Sequence, residues 1–204
     1  LTRAIADYSV AIGQSTTASG SYSFAMGESN TASGSHSIAL GEGTIASGDY
    51  SFAVGNGSEA LGDGSVVWGI ASGFFQAPRA TGENSTAFGT GTTASGNLST
   101  AFGEGTRAVG ERSTAFGEGT AALGNRSVAF GDSTTASATT SVAFGGGTTA
   151  ESFGQTTIGT YNTTQTGNAT SFVPSDRLLV VGNGIFSNRS DALVILKDGT
   201  TTLN

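Results

Sequence analysis

The sequence predicts an all-β protein, a parallel β-solenoid coiled in turns of fourteen residues, and three observations predict it. The first is a fixed period. Ser9, Ser23, Ser37, Ser51 and Ser65, then Ser85, Ser99, Ser113, Ser127 and Ser141, follow one another in steps of fourteen, with a single step of twenty between Ser65 and Ser85. Self-similarity at a short fixed period is the signature of a stacked array, in which each unit contacts mainly its neighbours. The second is that each unit splits into two sevens of the form Ser/Thr-x-Ala-x-Gly-x-x, as in "STAFGEG" followed by "TRAVGER". The third is the columnar chemistry: one column of the unit is Ala in nearly every copy, while the next is large and apolar.

Each seven reads as a short strand and a turn. Side chains alternate faces along a strand, so the anchor Ser (first position) and the Ala at the third share one face, and the second and fourth positions share the other. The column Ala25, Ala39, Ala53, Ala87, Ala101, Ala115, Ala129 and Ala143 is matched seven residues on by Ala32, Ala46, Ala60, Ala94, Ala108, Ala122, Ala136 and Ala150. Small residues facing inward from both strands predict a narrow coil. Gly recurs at the fifth position (Gly13, Gly27, Gly41, Gly103, Gly117) and the twelfth (Gly20, Gly34, Gly48, Gly110), where the reading places the chain reversals, because Gly reaches positive φ without steric cost. A helix is rejected: Gly in every half-repeat would cost about 1 kcal/mol at each position.

Along the chain, residues 1–160 carry the repeat, and the long step leaves six surplus residues at 72–77, "SGFFQA", just before Pro78. Proline cannot donate to a ladder, so this segment is expected to loop out of the coil. The chain opens at Leu1 in mid-repeat, with Ala4 at a repeat Ala position, and reads as a segment excised from a longer protein. Residues 161–204 differ: the Thr/Asn-rich "TYNTTQTGNATS" reads as a linker, and "RLLVVGNG" and "DALVILKDGTTTLN" as strand, Gly turn, strand and a Lys-Asp-Gly turn, a second small β module.

Composition narrows function. Eight Lys and Arg in a chain of net charge −7 form no basic stripe, which excludes nucleic acid and disfavours anionic membranes. No apolar run is long enough to span a bilayer, and no membrane contact is expected within this chain. With one His and no Cys, no metal site and no cofactor are expected. Gly-Asn-Gly at 182–184 lacks the Lys and helix of a phosphate loop. An acyltransferase β-helix would count in sixes and an ice-binding solenoid would carry its Thr array on a solvent sheet, so the chain reads as non-catalytic and adhesive or structural.

Two groups of residues are the candidate sites. The fourth-position column, Ile12, Met26, Leu40, Val54, Trp68, Phe88, Phe102, Phe116, Phe130, Phe144 and Ile158, has no room in an Ala-filled coil and must point outward, where such a ladder needs a partner. It is the expected subunit interface. The candidate ligand-binding residues are the column Tyr8, Tyr22, His36 and Tyr50, and Phe74 and Phe75 of the insertion, with subunit packing as the plainer role for both. The shared sixth-position acids Glu28, Glu42, Glu104, Glu118 and Asp132 read as turn exposure.

"NSTAFG" at 84–89 and "NRSVAFG" at 125–131, at fourteen-residue spacing, resemble the Asn-Ser-Val-Ala-Ile-Gly-x-x-Ser repeat of YadA-like trimeric autotransporter adhesin heads, over roughly residues 4–160. The resemblance implies a left-handed parallel β-roll, homotrimeric about a common axis. It places Val128, Phe130, Val142 and Phe144 on the face toward that axis and Gly131 and Gly145 at turns. It also implies attachment to an extracellular matrix protein, glycan or cell-surface receptor, from a bacterial cell surface or outer membrane. The tail resembles segments beside head repeats in long surface proteins and tail-fibre-like proteins, which keeps the fibre of a phage-like particle or contractile injection system as the alternative setting. The chain departs from the family pattern in its Phe at the fourth position, Thr86, Thr100 and Thr114 at the second, and Ala138 and Ser152 in place of the second Gly.

Overall fold

A computed structural model describes residues 1–72 and 76–204. Among these the regular structure is all strand, in two compact units, Leu1–Gly105 and Thr106–Asn204.

In the first unit, the five-residue strands Val10–Gln14, Phe24–Glu28, Ile38–Glu42, Phe52–Asn56, Val66–Ile70, Thr86–Thr90 and Thr100–Glu104 pair in parallel, each with the next. Two-residue strands, Arg3–Ala4 through Thr93–Ala94, pair likewise in a second sheet. The register places Ala on Ala and Gly on Gly: Ala25 faces Ala39, Ala39 faces Ala53, and Gly27 faces Gly41. Fourteen residues therefore make one rung of one long and one short strand. The insertion leaves this frame intact, because Val67 pairs with Ala53 on one side and Ala87 on the other, and Ala80 with both Ala60 and Ala94.

The core is what the repeat predicts. Ala25, Ala39, Ala53, Ala87, Ala101 and their short-strand counterparts Ala32, Ala46, Ala60 and Ala94 are fully buried, as is Val67 where Ala is usual. Hydroxyls share this interior: the anchor serines from Ser23 to Ser141 and an eighth-position column of Thr16, Thr44, Thr92, Thr106, Thr120, Thr134 and Thr148 are also inaccessible. Ser85 Oγ donates to Gly82 O at 2.6 Å and Ser141 Oγ to Ala138 O at 2.7 Å, each to the carbonyl three residues behind it.

The turns are not where the sequence reading puts all of them. The fifth-position glycines lie inside the long strands, and the reversals follow at the seventh and fourteenth positions, both in the left-handed region. At the seventh stand Ser15, Ser29, Gly43 and Ser133; at the fourteenth stand Tyr8, Tyr22, His36, Tyr50, Leu98, Arg112 and Arg126, with φ between 56° and 59°. The fifth-position Gly is required for another reason. At Gly117 the strand takes φ +126°, and an added Cβ would lie 1.9 Å from the carbonyl oxygen of Gly131. Twelfth-position Gly34 opens its turn with ordinary φ, yet a Cβ there would meet Gly48 O at 2.0 Å. In both columns the glycine answers to the next rung's closeness.

The second unit repeats the rung in Thr114–Glu118, Val128–Asp132, Val142–Gly146 and Thr156–Thr160, with short strands from Arg107–Ala108 to Thr149–Ala150. Its last rung exchanges small groups for polar ones inside. Gln155, in the anchor position and buried, accepts from Glu151 N and Ser152 N at 3.1 and 3.0 Å and donates to Thr157 Oγ1 at 2.9 Å. Strand Arg177–Asn183 then pairs in parallel with Thr156–Thr160, with Val180 opposite Thr157, Val181 opposite Ile158 and Gly182 opposite Gly159. Val180 is fully buried and continues the Ala column. Asp191–Leu196 and Thr201–Leu203 follow antiparallel, ending the coil's connectivity.

Candidate functional site

The outward face of the long strands carries the fourth-position column, as the alternation requires. In the first unit Ile12, Met26, Trp68, Phe88 and Phe102 are exposed, and Leu40 and Val54 half-buried. Phe88 and Phe102 stack with ring centroids 4.8 Å apart and planes 4° from parallel, and Trp68 tilts against Phe88 at 5.4 Å. In the second unit Phe116, Phe130 and Phe144 stack at 4.9 and 5.0 Å, followed by exposed Ile158. Each ring covers only its neighbours' faces, so Phe116 and Phe130 remain 39% and 40% accessible.

The second-position column lies beside it, two residues earlier on the same strands. It is apolar in Val10, Phe24, Ile38, Phe52 and Val66, then Thr in Thr86, Thr100 and Thr114, then Val128 and Val142. The greasy face is therefore two side chains wide over the first rungs and one wide over those with Thr.

The structure brings Tyr8, Tyr22, His36 and Tyr50 together. Their rings stack at 4.9, 4.8 and 4.8 Å with planes within 12° of parallel, on a corner of the first unit distinct from the long-strand face. The cause is the backbone: each is a fourteenth-position residue in the left-handed turn, stitched to the rung before it by bonds such as His36 N to Ser21 O and Tyr50 N to Ser35 O, both 2.8 Å. A bulky residue in this conformation is strained by about 1–2 kcal/mol, which stacking of about 0.5–1.5 kcal/mol per pair partly offsets. Ser35 Oγ lies 2.9 Å from His36 Nδ1. Phe74 and Phe75 lie outside the described residues. Of the sixth-position acids, Glu42 accepts from Asn56 Nδ2 at 2.9 Å through Oε2.

Three arrangements were not legible. Buried Asn30, in a column that is mostly Thr, donates to Met26 O and Gly41 O at 2.7 Å each and accepts from Thr44 N and Thr44 Oγ1 at 2.8 Å. Its signal is only that its letter departs from the Thr usual in that column, as Pro78 does too. In the tail, Arg177 and Asp191 form a buried ion pair at 3.3 Å; Arg177 also donates to Thr163 O at 2.6 Å and Gln165 Oε1 at 2.9 Å, while Asp191 accepts from the amide and the hydroxyl of Thr163. Lys197, its side chain 1% exposed, sits 3.7 Å from Asp176 and over the rings of Phe153 and Phe172. An open groove lined by Arg177, Arg189, Asp191, Val194 and Asn204 lies here. Both its arginines are committed to partners, since Arg189 donates to Gly147 O and Asn162 O.

One long and one short strand per fourteen-residue rung, in-register Ala and Gly columns inside and an apolar ladder outside, define the class: a parallel β-roll of head-type repeats. The model for the YadA head domain repeat (2 copies) matches at residues 4–30, 18–44, 32–58 and 46–69, and again at 80–106, 94–120, 108–134 and 122–148. The chain belongs to this family. The interval between the two runs of matches holds the insertion, and the tail lies beyond the last. No curated protein matches the chain.

Proposed function

We propose that the chain is a non-catalytic head segment of a bacterial surface adhesin, a homotrimer in which residues 1–160 form the head repeats and residues 161–204 a linker and a small trimeric β module. The observation that carries this reading is the outward Phe ladder over an Ala interior. A parallel sheet is ordinarily covered on both faces, and here the inner face meets only small groups while rings about two-fifths exposed line the outer one. Burial is worth up to about 1.5–3 kcal/mol per large side chain, and copies of the same chain supply a surface of matching pitch. Family membership favours three copies. Trimerisation leaves the corner columns and turns for contact with an extracellular matrix protein, a glycan or a cell-surface receptor.

The test is Phe102→Asp with Phe116→Asp. Three charges per substituted rung would have to be buried against one another, so sedimentation should show monomers or unfolded chains. A double variant that sediments as a folded trimer overturns the interface assignment. Attachment of the purified wild-type chain to immobilised matrix proteins and glycans tests the adhesive half of the reading.

A further inference from the structure

The aromatic corner column stops abruptly. After Tyr50 the next fourteenth-position residue is Gly64, which keeps the same left-handed turn, φ +65°, and the same backbone stitch, Gly64 N to Asp49 O at 2.8 Å. The column thus runs on in backbone while skipping one side chain. Among the described residues, one ring face of Tyr50 lacks the neighbour that Tyr22 has on both sides, and Tyr50 is 69% exposed against 54% for Tyr22. One rung further, Asn84 N bonds Asp63 O at 2.8 Å, and its side-chain oxygen leans back to within 2.3 Å of where a Cβ on Gly64 would stand. The result is a berth one rung high, with Tyr50 as its floor and the Asn84 amide as its inner wall. Beside it run the carboxylates of Asp49 and Asp63, whose Oδ1 atoms accept Ser35 N at 2.8 Å and Asp49 N at 2.9 Å.

The geometry points to a saccharide-binding site in this berth, taking one pyranose ring of a β-linked oligosaccharide. A pyranose has an apolar face of axial C–H groups that fits an open aromatic face, and a rim of hydroxyls that needs both donors and acceptors. Tyr50 supplies the face. The Asn84 amide supplies both donor and acceptor, and the two carboxylates supply acceptors only. A cation would find no aligned ligand set here, and a flat apolar peptide would leave the amide and carboxylates unmatched. The proposal rests on the adhesive reading above and names its ligand class at one corner of the first unit.

The molecule offers its own test, because Tyr is native in this turn. Gly64→Tyr should continue the stack from Tyr50, displacing only the flexible end of Asn84, and so fill the berth without breaking the fold. Tyr50→Thr removes the floor with a residue that Thr140 shows to be accepted at this position. Tyr8→Thr removes the opposite end of the stack as a control. Saturation-transfer NMR and calorimetry with cellotetraose and N-acetylchitotetraose should show binding to the wild type, weakened about tenfold or more in G64Y and Y50T, the loss of one aromatic stacking contact, and unchanged in Y8T. Binding of neither oligosaccharide to the wild type, or full binding by a folded G64Y, overturns the proposal. Sedimentation and surface attachment of the same proteins separate the two readings. A wild type that attaches to surfaces but holds no saccharide sinks the berth alone, whereas saccharide binding in the berth without attachment to any surface sinks the adhesive function alone.

Discussion

The rungs and the tail hold themselves together by opposite means. Among the described residues, no interior side chain of a rung larger than Val is apolar, and cohesion comes from in-register backbone pairing repeated every fourteen residues, with Ala, Ser and Thr packed to complete burial. In the tail, strands Arg177–Asn183 and Asp191–Leu196 pair once, with irregular register, and the linker before them is tied down by non-repeating contacts, among them the Arg177–Asp191–Thr163 knot. A rung shares its load with identical neighbours, whereas the tail relies on a few contacts that occur nowhere else. Point changes should therefore act differently: in a rung, backbone geometry is the sensitive element, and in the tail, side-chain chemistry.

The largest effect expected is from Gly117→Ala. The new Cβ would meet a backbone oxygen, which cannot swing aside, at a φ that L-residues rarely adopt. A loss of at least about 4 kcal/mol is expected in denaturant unfolding. A loss under half of that would show that rungs can part locally, and would weaken the contrast.

Asp191→Ala should cost about 3 kcal/mol by leaving Arg177 buried without its carboxylate. Hydrogen exchange should place the loss in the tail strands, with amides of Val128–Asp132 still protected. Equal loss of protection in both would mean that tail and rungs unfold as one cooperative unit.

Asn30 sharpens the comparison from inside the rungs, since it is an amide in a core mostly of Ala, Ser and Thr. Asn30→Ala strands Thr44 N and two carbonyls and should cost about 2 kcal/mol, while Asn30→Thr, the usual residue of its column, should cost clearly less. If the two variants were equally damaged, the buried amide would matter for its volume and not for its bonds.

The smallest effect is expected at Asp198, fully exposed in the turn before Thr201–Leu203. The amide of Thr200, donating to Oδ1 at 2.8 Å, and the Thr200 hydroxyl hold its carboxyl below the ordinary value of 3.8. A carboxyl depressed on folding adds stability that is present above the ordinary value and lost as pH falls through the lowered one. NMR titration should find Asp198 ionising below 3.8, and Asp198→Asn should remove that acid dependence from the tail without touching the rungs.

Much of the fold was legible because a repeat states its own constraints many times. Strand alternation put Ala inside and Phe outside, and the fourteen-residue step set the register that Phe130 and Phe144 occupy side by side. The same repetition misled at the fifth-position glycines, since a Gly demanded by close approach of the next rung looks in sequence like a Gly demanded by a turn. The stack at Tyr8, Tyr22, His36 and Tyr50 could be read as a column, but not its place on a left-handed corner, which depends on where in the rung the chain reverses.

By itself, then, the sequence determined the period, the inside and outside of each rung, and an apolar face in need of cover. These follow from local spacing and side-chain size, which every copy repeats. The tertiary structure alone decided the left-handed corners, the four bonds of Asn30, the berth between Tyr50 and Asn84, and the seating of Val180 in the Ala column. Each depends on groups brought together by coiling or by a non-repeating connection, and no column of the repeat encodes that meeting.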